Sequence, residues 1–217
     1  MNKKEQFARL SVLLAGLVVY QLGASILKLS GFGLDPFNVL VQGFHNSIKL
    51  DNLSFFSHGC VHIIISALLT FMLFLLNRSL ATLGTLLCMF LGGPLIDVFS
   101  LVLSPVYEHY TDSTYLYIMF IAGFVMLTYG LSMMIESKAG GVPNEYIVEA
   151  FANPQKKNSY IIRMIVYLAF AFIGFITGGA IGFATLLCLA IVTPLVDYFS
   201  PNLSQKIESY VKKRISK

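Results

Sequence analysis

Three small groups of polar residues stand inside otherwise apolar stretches and could do chemistry. The first is a pair of aspartates, Asp97 and Asp197, each closing a Pro-x-x-Asp element that opens at Pro94 or Pro194. A carboxylate inside an apolar helix is costly, so it is expected to face a partner or a water-filled cavity. The proline before it removes one backbone hydrogen bond and frees a carbonyl. Such a pair suits proton binding or gating, one group per side of a membrane. The general cost of a carboxylate in an apolar helix favours a structural hydrogen-bond role for the pair over that one. The other two groups are Asp35 with Asn38, around Pro36, and Asn144 with Glu145, after Pro143. Gly33 and Gly140 precede these prolines by three residues. Proline suits the first turn of a helix, where no N–H is needed. Pro36–Ser47 and Pro143–Phe151 are too short to cross a bilayer at about 1.5 Å per residue. Each either dips into the membrane as a half-helix or lies along its surface. A dipping half-helix aims free N–H groups and a partial positive charge at the interior, which favours an anion or a polar solute group. Asp35 stands at the N-cap of the first and can use those N–H groups itself. Val142 takes its place in the second.

The elements that position these groups are apolar helices. The chain of 217 residues is 56% hydrophobic and 12% charged, with mean hydropathy +0.75. A soluble domain carries about 25% charge. Runs of about 20 apolar residues, the length a bilayer demands, recur along the chain. Six spans are expected, near 10–29, 57–76, 81–103, 115–135, 160–177 and 179–199. The first run follows Lys3, Lys4 and Arg9, as a signal peptide would, but it is long for that role and has its own copy later. With the N-terminus in the cytoplasm, thirteen of the fifteen Lys and Arg residues fall inside, and only Lys28 and Lys49 fall outside. This bias puts both termini in the cytoplasm. The net charge of +4 is sorted by side, and nucleic acid is not an expected partner.

The chain repeats itself. Thr85–Ser100 returns as Thr185–Ser200 with nine of sixteen positions identical. A shift of 107 residues sets Gly16 on Gly123, Gly23 on Gly130, Gly33 on Gly140 and Pro36 on Pro143. One domain, 1–217, therefore holds repeat 1 at about 10–104 and repeat 2 at about 115–200. Each unit is a helix, a Gly-Pro loop with a short helix, and two more helices. Three spans per unit invert the second unit relative to the first, a mark of many transporter folds. Duplication in a non-transporting scaffold would leave the same trace.

Other features carry less chemistry. His58 and His62 share a helix face, but no third metal ligand is evident, and no metal or cofactor is expected. Cys60, Cys88 and Cys188 sit in apolar runs and read as packing residues. Glu145 and Glu149 share a face beside the second loop, either lining a mouth or solvated. Walker, HExxH and GxSxG motifs are missing, so no enzyme activity is expected. Residues 201–217 form a basic amphipathic tail, with Leu203, Ile207, Tyr210, Val211 and Ile215 on one side. It is expected on the inner leaflet against anionic lipid, with a plain solvated tail as the alternative.

The segment GFGLDPFNVLVQGF, with TLGTLLCMFLGGPLIDVF downstream, resembles the YczE/YitT-type bacterial integral membrane proteins over nearly the whole chain. That resemblance implies a multi-pass protein of the bacterial plasma membrane. It does not imply a substrate. This loop has Asp35-Pro36-Phe37-Asn38 where the family tends to have Pro-Trp-Asp.

The expected architecture is all-α, six spans in two inverted three-helix repeats. The expected function is transport of a small solute or lipid precursor, with Asp35, Asn38, Asp97, Asn144, Glu145 and Asp197 lining the path. Rivals are a substrate-capture subunit of a larger importer and a non-transporting regulator or scaffold. A homo-oligomer is compatible with each.

Overall fold

The computed structural model describes residues 2–48, 56–109, 112–151 and 159–215. Lys49, Lys156, Lys157 and Lys217, counted above for topology, lie outside them. The helices are α1 (Lys3–Ser30), α2 (Pro36–Ser47), α3 (His58–Leu76), α4 (Leu83–His109), α5 (Ser113–Ser137), α6 (Pro143–Phe151), α7 (Ser159–Ile176) and α8 (Phe183–Ile215). Five of them, α1, α3, α4, α5 and α8, are long and apolar enough to cross a membrane. The sixth expected span, α7, is shorter, with 18 residues. Large apolar side chains on α3, α4 and α7, among them Leu68, Phe71, Phe90, Leu101, Phe172 and Ile176, point outward, as a lipid solvent requires.

Two layers make up the bundle. In the first, α1 and α5 pack against each other, flanked by α4 and α8, around Leu17, Tyr20, Leu127, Leu131, Cys88 and Cys188. Small residues let the α1 and α5 backbones touch. A Cβ at Gly130 would lie 2.7 Å from the carbonyl oxygen of Gly16, and one at Gly23 would lie 2.7 Å from that of Gly123. These are the glycines related by the 107-residue shift, with partners exchanged. The second layer holds the short helices between α3 and α7, around Phe37, Val41, Val61, Val148 and Phe170.

The two Gly-Pro loops share a backbone path. Helix α1 ends at Gly31 with φ 77°, and α5 ends at Lys138 with φ 54°. Two residues on, Gly33 and Gly140 have φ of 109° and 137°, a region that side chains with a Cβ rarely enter. Each loop is fastened to the start of a helix from the other half of the chain. The amide of Ala184 and the hydroxyl of Thr185 donate to the carbonyls of Phe32 and Leu34, at 2.9 and 2.7 Å. The hydroxyl of Thr82 donates to the Ala139 carbonyl at 3.3 Å.

The tail is part of the last helix. Helix α8 runs unbroken through Pro194 and Pro201 to Ile215, so residues 201–215 extend a span. Leu203, Ile207 and Val211 are buried against Ala8, Val12, Tyr129 and Met133 of α1 and α5. The contact is locked by Arg9, whose guanidinium donates to Glu5 at 3.0 Å and to Glu208 at 3.0 and 3.2 Å. Lys138 joins Glu208 at 3.4 Å. Both termini therefore lie on one face of the bundle, here called the terminal face.

Candidate functional site

Both short helices begin inside the bundle. Pro36, Phe37 and Asn38 are buried, as are Pro143, Asn144 and Glu145. Phe37 sits edge-on to Phe170 in α7, with centroids 5.8 Å apart. At its other end α2 reaches the end of α7, where Asn46 and Ser47 donate to the carbonyls of Gly178 and Thr177 at 2.8 and 2.6 Å. The N-terminus of α2 thus lies level with the middle of α7. The start of each short helix is therefore enclosed by protein.

An enclosed cavity of about 10 Å³ lies where the two short helices start. Its polar lining comes from Tyr20 on α1, Asp35 in the first loop, Asn144 on α6 and Tyr167 on α7. Such a volume holds about one water molecule. Asp35 caps α2 as expected: its carboxylate accepts from the Asn38 backbone at 3.2 Å and from the Asn38 amide at 2.6 Å. The Asn38 side-chain oxygen, Oδ1, lies 3.0 Å from His58 Nε2. His62, one turn on, lies 3.4 Å from the Ser66 hydroxyl and edge-on to Phe37.

A second and larger space, about 420 Å³, opens beside Lys138 on the terminal face. Lys138, Glu145, Tyr146, Glu149 and Arg163 line it. Burial pushes the Tyr146 phenol up to about 12, with Glu149 adding to the shift. Burial also raises the Glu149 carboxyl from its ordinary value. Glu145 stands between the two spaces. It accepts a hydrogen bond from the Tyr167 hydroxyl, which lines the cavity, and pairs with Arg163 in the larger space at 3.4 Å. Only 6% of Glu145 is exposed, and its Oε2 has no hydrogen bond among the described residues.

The six candidates therefore separate. Asp35 and Asn144 line the cavity, Asn38 steadies Asp35, and Glu145 divides cavity from vestibule. Asp97 is elsewhere: both its oxygens accept from the Gly59 amide, at 3.0 and 2.9 Å, capping α3 across a close crossing of Gly59 and Gly93. Lys28 is within electrostatic reach. A charged acceptor on a helix N-terminus contributes about 1.5–3 kcal/mol. Asp97→Ala is expected to cost that much in thermal or denaturant unfolding, and Asp97→Asn much less. A variant as stable as wild type would remove the capping role. Asp197 is exposed on α8, within electrostatic reach of Arg163. Tyr20, Tyr167 and Arg163 belong to the site without having been singled out. Gln21, fully buried and with neither amide atom hydrogen-bonded among the described residues, is a further polar residue on α1.

Comparison with known proteins gives a family. The profile of a family of unknown function, DUF6198, matches residues 7–201. The chain belongs to the DUF6198 family. Among curated proteins similar to the chain, the uncharacterized membrane protein YczE of Bacillus subtilis (strain 168) is 30% identical over 218 residues, covering 98% of this chain and 94% of its own. The uncharacterized protein YyaS of the same strain is 27% identical over 187 residues, 86% of this chain and 89% of its own. An uncharacterized protein of Haemophilus influenzae (strain ATCC 51907 / DSM 11121 / KW20 / Rd) is 22% identical over 195 residues, 89% and 84% of the two chains. No solved structure matches. The Gly-Pro loops and the Pro-x-x-Asp helices thus belong to an integral membrane protein of the YczE type.

Proposed function

We propose that this DUF6198 protein is a permease that carries a small polar solute through the cavity between its two half-helices. One observation carries the reading. Two short helices from the two halves of the chain start at one small buried cavity, where Asp35, Asn144, Tyr20 and Tyr167 stand among apolar side chains, and a vestibule from the terminal face stops one side chain short of it. In transporters built from inverted repeats, the solute sits where such broken helices meet. The exchanged glycine contacts of α1 and α5 support inversion, because a two-fold relation makes each partner meet the other's counterpart. On this reading α7 is the sixth span, the terminal face is cytoplasmic, and the solute reaches the cavity when the Glu145–Arg163 pair and the Tyr167 bond part. The vestibule is lined by both signs of charge, which suits a polar solute of amino-acid size.

Liposomes containing the purified protein test this by counterflow of a panel of radiolabelled amino acids, polyamines and small carboxylates. Accumulation of one of them, abolished by Asn144→Trp, is the expected result. If no solute in the panel exchanges, and a cysteine at Asn144 is labelled from neither side, the permease reading fails. Co-purification with an ATPase would instead favour the capture subunit of a larger importer.

A further inference from the structure

The start of α1 and the end of α8 build a second site, on the terminal face and away from the central cavity. A groove of about 340 Å³ is lined by Lys3, Lys4, Phe7, Ala8, Tyr210 and Arg214. It joins, through Tyr210, an apolar groove of about 320 Å³ that runs toward the bundle past Val12, Ala15, Tyr129 and Met133, with Lys206 among its lining. The Arg214 guanidinium is set 5.5 Å over the Tyr210 ring. Glu5 and Glu208, the acids nearest in sequence to these cations, are held by Arg9. Phe7 is 75% exposed, an unusual position for a phenylalanine outside an apolar solvent. Basic charge above an apolar groove at the end of membrane-spanning helices matches one ligand chemistry, an anionic head with acyl chains below it.

We propose that this face binds an anionic phospholipid, its phosphate among Lys3, Lys4 and Arg214 and an acyl chain along the Val12–Ala15 groove. The buried Leu203, Ile207 and Val211 hold α8 against α1, so the two grooves exist before the lipid arrives. The proposal does not depend on the permease reading.

The test uses the full-length protein in a neutral detergent, with native mass spectrometry and thermal melting against added phosphatidylglycerol, phosphatidylcholine or inorganic phosphate. Phosphatidylglycerol is expected to be retained and to raise the melting temperature. Phosphatidylcholine and inorganic phosphate are expected to do neither. Each basic residue near an anionic surface contributes about fivefold, so Lys3→Gln, Lys4→Gln and Arg214→Gln together should weaken binding roughly a hundredfold. Ala15→Trp keeps every charge and fills the apolar groove, and it too should weaken phosphatidylglycerol. Equal response to both lipids, full binding by either variant, or a phosphate shift matching that of the lipid would each overturn the proposal. The last would mark a free-anion site.

Discussion

Arg163→Met is expected to cost about 3–5 kcal/mol of stability, the usual loss when one member of a buried ion pair is removed. Glu145 is 6% exposed and pairs with Arg163 at 3.4 Å. Without the guanidinium, its carboxylate keeps the Tyr167 hydroxyl as its one remaining partner in that network. The double variant Glu145→Gln, Arg163→Met should recover most of the loss, because a neutral amide needs no counter-charge. Equilibrium unfolding in mild detergent measures the cycle. Losses that simply add would mean that the two side chains do not act as a pair. The functional consequence separates from the stability one. The pair stands between vestibule and cavity, so the refolded double variant should admit thiol reagents to a cysteine at Asn144 faster than the parent does.

A larger effect is expected at the α1–α5 crossing. Overpacking a core ordinarily costs about 1–3 kcal/mol. At Gly130 an added carbon would meet the Gly16 carbonyl at 2.7 Å as well as the Tyr20 amide, and backbone cannot turn aside as a side chain can. Gly130→Val should therefore cost more than that range and leave little folded protein in the membrane. Gly23→Val should do the same, since its carbon would meet the Gly123 carbonyl at 2.7 Å and the Leu127 amide. Gly141→Ala is the control: its Cβ would be 3.6 Å from the Tyr146 ring, an ordinary contact. Yield and melting temperature of the three variants decide the matter. Equal tolerance of all three would show that α1 and α5 do not cross at these glycines.

How much of this could be read from residue order depends on the residue. The short helices α2 and α6 were legible because Gly33, Pro36, Gly140 and Pro143 are local signals, each tied to one backbone conformation. Asp97 and Asp197 stood out by cost alone, and cost does not say which partner meets it. Asp97 turned out to cap α3 at Gly59, a contact between residues 38 positions apart. Tyr20 and Tyr167 were invisible because a tyrosine in an apolar run looks like any aromatic packing residue. Arg163 was legible only as a topological charge. The Glu145 that neutralises it comes from α6, and only folding brings them together. Helix α8 continued through Pro201 because one lost backbone hydrogen bond is outweighed by burying Leu203, Ile207 and Val211 on α1 and α5.

The claim on which the account turns is that the two halves of the chain sit oppositely across the bilayer. His109 ends α4, and Ser209, 100 residues on, is its counterpart in α8; both are exposed. His109→Cys and Ser209→Cys, each in a background with Cys60, Cys88 and Cys188 replaced by alanine, can be labelled with a membrane-impermeant maleimide. Intact cells should label position 109 alone, and inverted vesicles position 209 alone. Labelling of both positions from the same side would contradict the inversion and, with it, the permease.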